Sequence, residues 1–175
     1  MDLRDIKEFT KDTLSYILTA GAVLFVIIYV VTLQQVVGPS MDSTLKNQDI
    51  VILSKSHYKL FDMKRFDVIA FNYADTKYLI KRVIGLPGDK VEYKNNTLYI
   101  NDKIIEEEFL KDHVTKDYDM SSLGYEVIPE GKYFVLGDNR ENSLDSRSFG
   151  LIDEKDILGK VSIKIWPFYE FKIVN

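Results

Sequence analysis

Between Asp12 and Asp42 the chain carries no charged residue, and the stretch Leu14 to Leu33 (LSYILTAGAVLFVIIYVVTL) is almost wholly apolar. Wound as a helix, a run of that length covers about 30 Å, enough to cross the hydrocarbon core of a bilayer. The sequence therefore predicts a single transmembrane anchor over residues 13–35, after a short N-terminal segment 1–12 that carries Arg4, Lys7 and Lys11. The rival reading is a removable export leader. Such leaders have apolar regions of roughly 7 to 15 residues closed by a small-residue cleavage site, whereas this run passes on into Gln34-Gln35-Val36-Val37. A retained anchor is the better reading. Because Lys46 and Lys55 follow at no great distance, positive charge alone orients it weakly.

Residues 36–175 have room for one modest folded domain and no second. Their apolar runs are short and separated by turn residues, which is a β pattern. Candidate strands are Ile50–Leu53, Phe66–Phe71, Tyr78–Ile84, Lys90–Tyr93, Thr97–Ile100, Lys132–Leu136 and Leu158–Trp166, with Asn95-Asn96 as a tight hairpin turn. The expected fold class is mostly β, an antiparallel sheet or partial barrel behind one N-terminal transmembrane helix. The charged stretch 106–130 shows no periodicity and is expected to be an insertion that leaves the sheet. Near the C-terminus, Trp166, Phe168, Tyr169 and Phe171 suit either a lipid interface or core packing.

Composition removes several classes of function. With no cysteine, thiol catalysis, disulfides and cysteine zinc sites are excluded. The two histidines, His57 and His113, lack the spacing of a helical metal pair and read as surface-loop residues, so neither metal nor cofactor is expected. A net charge of -4 offers no basic field for nucleic acid.

Three segments carry chemistry. Gly38-Pro39-Ser40-Met41 would present a serine rigidly just beyond the anchor, although such a turn alone is usually structural. Lys81 and Arg82 lie inside the apolar strand Tyr78–Ile84, so they must point to opposite faces, one able to be buried and the other exposed. A buried lysine can become the neutral amine a general base requires; a solvated sheet face bearing two cations is the plainer alternative. Gly137 to Gly150 packs many donors and acceptors against a strand end, as the support of a site does. A calcium loop is disfavoured by its acidic spacing.

Together these segments resemble the sequence boxes of type I signal peptidases. The likeness covers nearly the whole chain: the anchor, Ser-Met-x-x-Thr-Leu at Ser40–Leu45, the strand Asp49–Lys55, Lys81-Arg82-x-x-Gly-x-Pro-Gly-Asp, and Gly137-Asp138-Asn139-Arg140 through Ser143, Asp145 and Arg147. The resemblance implies a membrane-bound serine endopeptidase that removes signal peptides from exported preproteins after a small-x-small motif. Ser40 would be the nucleophile and Lys81 its general base, with Ser143 orienting the lysine. The oxyanion would be held by the backbone N–H of Ser40. Arg82, Asp138, Asp145 and Arg147 would give structural support, and Met41, Leu45, Leu79 and Ile80 would line the substrate site. The substrate would add as a strand between the segment before Ser40 and the strand of Lys81.

The family topology places the N-terminus in the cytoplasm and residues 36–175 outside. Partners are then preproteins and lipid, without nucleic acid; oligomeric state is not legible. Two departures stand out. Gly38 occupies the place where some members carry an oxyanion-binding serine, as in the short Gram-positive-like branch. Ser43 replaces a usual proline, a change expected to loosen the turn by about 0.4–1 kcal/mol. A related self-cleaving repressor peptidase is excluded by the anchor, and the histidine-using type of signal peptidase by Lys81. A tethered peptide-binding module without catalysis has no need of Ser40, Lys81 and Ser143 together.

Overall fold

A computed structural model describes residues 3–55, 63–74, 77–110 and 113–174. Helix α1 runs from Leu3 to Tyr29 and takes in the charged N-terminal residues as well as most of the apolar run. The chain then turns at Val30, and β1 (Val31–Gln35) pairs antiparallel with β2 (Ile50–Ser54). The expected segment 13–35 is thus divided. Its first part is helical, but Val31–Gln35 is a sheet edge, where β-branched and apolar residues gain cross-strand contacts that a continued helix would forgo. Among the described residues no helix is long and apolar enough to cross a membrane.

The remaining strands are β3 (Val68–Ala74), β4 (Lys77–Gly85), β5 (Val91–Lys94), β6 (Thr97–Ile100), β7 (Lys103–Ile105), β8 (Tyr118–Asp119), β9 (Lys132–Leu136), β10 (Ile152–Asp153), β11 (Ile157–Trp166) and β12 (Lys172–Ile173). A one-turn helix α2 (Ser146–Phe149) follows β9. The main sheet has the order β1-β2-β11-β3-β4-β9-β10, with β12 also paired to β11. A smaller sheet, β7-β6-β5-β8, stands beside it. Every pairing is antiparallel, and the β5–β6 hairpin turns at Asn95 and Asn96, both at positive φ as a tight turn requires.

The expected strands all appear, two with the bounds expected and the others with ends displaced by at most three residues, as where Phe66–Phe71 becomes Val68–Ala74. Five were not foreseen: β1, β7, β8, β10 and β12. Each is short or lies inside a stretch with another stronger signal. Nor does 106–130 leave the sheet system. Within it β8 pairs with β5, while Met120 and Ile128 are buried in the cluster formed with Ile84, Val91 and Phe134.

Strand β4 is covered on both faces. Ile80 packs with Met41, Leu45 and Val68, whereas Val83 packs with Ile69 and Val135 and Ile84 with the second-sheet cluster. This overturns the expectation that only one of Lys81 and Arg82 is buried: they are 1 % and 0 % exposed. Alternation does send them to opposite faces, but neither face meets water. The C-terminal aromatic group, by contrast, is not core, since Trp166, Phe168, Tyr169 and Phe171 are all exposed.

Candidate active site

Ser40 sits in a compact loop that links β1 to β2. Its ends are tied by Val36 N–H donating to Asp49 O and Gln48 N–H to Val36 O, at 2.8 and 2.9 Å. Gly38 has a φ of +88, open to glycine at no steric cost, and its N–H donates to Asn47 Oδ1. Met41 and Leu45, both fully buried, anchor the loop in the core. Ser43 has a φ of +89, which a proline ring cannot adopt. The turn is therefore built around a different backbone conformation from a proline-bearing one, and the expected loosening by loss of proline does not apply.

Lys81 reaches this loop from β4. Its Nζ donates to Ser40 Oγ at 2.7 Å and to Ile80 O at 3.0 Å. Burial lowers the amine from its ordinary 10.5 to about 8, against the raising pull of the Asp145 and Asp138 carboxylates. Near neutral pH a useful fraction of Lys81 is then unprotonated and can accept the hydroxyl proton of Ser40. The Ser40 N–H donates to no atom among the described residues.

The polar segment after β9 closes the site. Asn139 N–H donates to Ser40 O and its Nδ2 to Pro39 O, at 3.1 and 3.2 Å, so the backbone at Ser40 is held from behind. Gly137 leaves no room for a side chain there: a Cβ would lie 2.2 Å from Ser143 Oγ and 2.4 Å from Ser40 O. Gly137→Ala is accordingly expected to displace the Ser40 backbone and lower kcat by at least about 100-fold, given the sensitivity of catalysis to small misplacements. Steady-state cleavage kinetics, with circular dichroism to confirm folding, check this; a variant with near-normal kcat would show that the contact relaxes freely.

Ser143 is brought to the site, but not into the expected bond. Its Oγ is buried and has no hydrogen-bond partner among the described residues, while Lys81 Nζ is engaged by Ser40 Oγ and Ile80 O. Met41, Leu79 and Ile80 do line a small pocket beside Ser40 and Lys81, together with Val36, Val37 and Tyr78. Leu45 does not. It is wholly enclosed in the core with Val51 and Val68.

Each of the four support residues is buried or partly buried in an ion pair. Arg82 meets Asp138 through two hydrogen bonds of 2.9 and 2.7 Å, and also donates to Phe66 O and Thr44 Oγ1. The guanidinium lies 3.9 Å from the centre of the Phe109 ring. Asp145 caps α2 by accepting from Arg147 N–H, accepts from Gly137 N–H, and pairs with Arg147 Nε and Nη2.

Sequence reasoning missed two networks. Arg140, 3 % exposed, donates to Gly137 O, Thr115 Oγ1, Tyr93 Oη and Glu107, binding the site loop to the second sheet. Buried Lys164 pairs with Asp49, which also receives the Lys46 N–H, so β11 holds the far end of the Ser40 loop. No local pattern signals either network, because the partners lie far apart in the chain. His57 lies outside the described residues. Among those residues no group of three or more metal-ligating side chains occurs.

Comparison with known proteins identifies the family. The family described as signal peptidase, peptidase S26, matches residues 7–166. The chain is 45% identical over 180 residues to signal peptidase IB of Staphylococcus aureus, covering 93% of this chain and 94% of that protein. It is 40% identical over 143 residues to signal peptidase I of Bacillus caldolyticus, covering 77% and 79% of the two chains. The crystal structure of a signal peptidase I from Enterococcus faecalis superposes with a TM-score of 0.53 at 38% identity, over 58% of this chain and 98% of that one. With family and fold in agreement over most of its length, the chain belongs to the signal peptidase family, peptidase S26, and within it to the signal peptidase I group.

Proposed function

We propose that this peptidase hydrolyses the signal peptide–mature protein bond of preproteins with Ser40 as nucleophile and Lys81 as general base. The observation that carries this reading is the 2.7 Å hydrogen bond between Lys81 Nζ and Ser40 Oγ, made by an amine whose burial brings its pKa to about 8. Lys81 takes the hydroxyl proton as Ser40 Oγ attacks the scissile carbonyl, and then returns it to the leaving amine. The Ser40 N–H stabilises the oxyanion, with Gly38 contributing no side chain. Ser143 Oγ, close by and otherwise uncommitted, serves to orient the amine during the cycle.

The substrate adds as an extended strand between β1 and β4, and the narrow pocket of Met41, Leu79 and Ile80 favours a small residue before the cut, hence a small-x-small motif. Lipid association is part of the same reading. Leu14, Ile17, Leu18, Leu24 and Phe25 of α1 are exposed apolar side chains, as are Phe168, Tyr169 and Phe171 near the C-terminus. Large exposed apolar areas of this kind suit a bilayer and its interface, with the N-terminus cytoplasmic and residues 36–175 outside.

The test is cleavage of a purified preprotein by the full chain in detergent micelles, with the new N-terminus located by mass spectrometry. The expected result is one cut after a small-x-small sequence, abolished by Ser40→Ala. Continued cleavage by the folded alanine variant would remove Ser40 from the mechanism.

A further inference from the structure

The cleft between β1 and β4 is already bridged. Tyr78 Oη accepts a short hydrogen bond from Gln34 Nε2 and donates to Gln35 O at 3.1 Å. Backbone alternation shows what that carbonyl is for. The N–H and C=O of Val36 both bond toward the β2 side, to Asp49 and Gln48. In a strand the polar groups of the neighbouring residue point the other way, so those of Gln35 face the free edge of β1. Among the described residues β2 is the only strand beside β1.

On the facing strand, Val83 bonds toward Asp67 and Phe66 on the β3 side, and the β3–β4 register from Arg82 to Tyr78 runs without a shift. Alternation then turns the backbone groups of Ile80 and Tyr78 outward, beyond the reach of β9, which pairs only at Arg82, Val83 and Gly85. An extended peptide entering between these edges needs Gln35 O as a ladder acceptor.

We propose that Tyr78 sets the affinity for the substrate strand, by capping in the free enzyme the Gln35 carbonyl that the substrate's backbone N–H must reach. This rests on the strand-addition reading given above. Substrate binding exchanges the tyrosine–carbonyl bond for a substrate–carbonyl bond, so the gain from that rung of the ladder is reduced by what the tyrosine already supplies. The reacting atoms are not touched: Tyr78 has no bond to Ser40 or Lys81.

Tyr78→Phe keeps the ring and removes the hydroxyl. In preprotein cleavage by the full chain in detergent it is expected to lower KM about 3- to 10-fold, the scale of one net hydrogen bond, with kcat and the acid limb of the pH profile near 8 unchanged. Gln34→Ala, which weakens the same bridge from the other side, is expected to lower KM in the same sense and decides the matter should the phenylalanine variant fail to fold. A KM that stays constant or rises overturns the proposal. If that happens while Ser40→Ala abolishes cleavage, the tyrosine cap alone is wrong; if Ser40→Ala still cleaves, the proposed mechanism falls as well.

Discussion

Lys81→Met is expected to reduce kcat for preprotein cleavage on the order of ten-thousand-fold while leaving the protein folded, and no less stable than wild type. The two halves have one cause. The unfolded lysine keeps its proton up to about 10.5 and the folded one only up to about 8, so between those values the unfolded chain binds more protons. Stability therefore rises with pH across that window, and below it the buried amine costs about 3 kcal/mol. Methionine fills similar volume without that cost but loses the bonds to Ser40 Oγ and Ile80 O. The net expectation is a gain of about 1–2 kcal/mol at pH 7, measured by urea unfolding. In wild type, kcat/KM should climb through about pH 8 and level off above it. A methionine variant that still cleaves would exclude Lys81 as the base. One that is clearly destabilised at pH 7 would show that the native lysine is charged and paired.

Arg82→Ala is expected to produce the largest loss of stability, about 3–5 kcal/mol, because it leaves Asp138 charged and unpaired in a site with no access to water. The same change opens the space under the Phe109 ring and frees the Phe66 carbonyl and the Thr44 hydroxyl. Replacing both partners, Arg82→Met with Asp138→Leu, should cost much less than the single change, since no isolated charge remains. Thermal and urea denaturation of the three variants measure this. At a temperature where Arg82→Ala stays folded, its kcat should fall less than tenfold, for among the described residues the Arg82 side chain bonds to Asp138, Phe66 and Thr44 and not to the side chain of Ser40 or Lys81. If the double variant is as unstable as the single one, hydrogen bonds and packing, rather than the unpaired charge, hold this part of the fold.

The sequence by itself determined which segments to look to for a candidate site and most of the sheet. Ser40, Lys81 and the polar stretch from Gly137 each carry a local signal, a Gly-Pro turn, a cation inside an apolar strand and a dense polar run at a strand end, which is weak alone, and it is their order and spacing together, through the family resemblance, that singled them out. The long strands were equally legible, since period-two alternation and turn residues are local properties. Tertiary structure decided the rest. Val31–Gln35 looks like more of an apolar helix until β2 is there to pair with it. Leu45 and Leu79 are both plausible pocket residues in a list, and only packing puts one in the core and the other at the cleft. Burial of both Lys81 and Arg82 needed material over each face of β4, supplied by segments as distant as Met41 and Asp138. The lowered pKa, the Asn139 clamp on Ser40 and the Tyr78 bridge likewise join positions far apart in the chain, and a contact across that separation leaves no mark on the residues immediately around either partner.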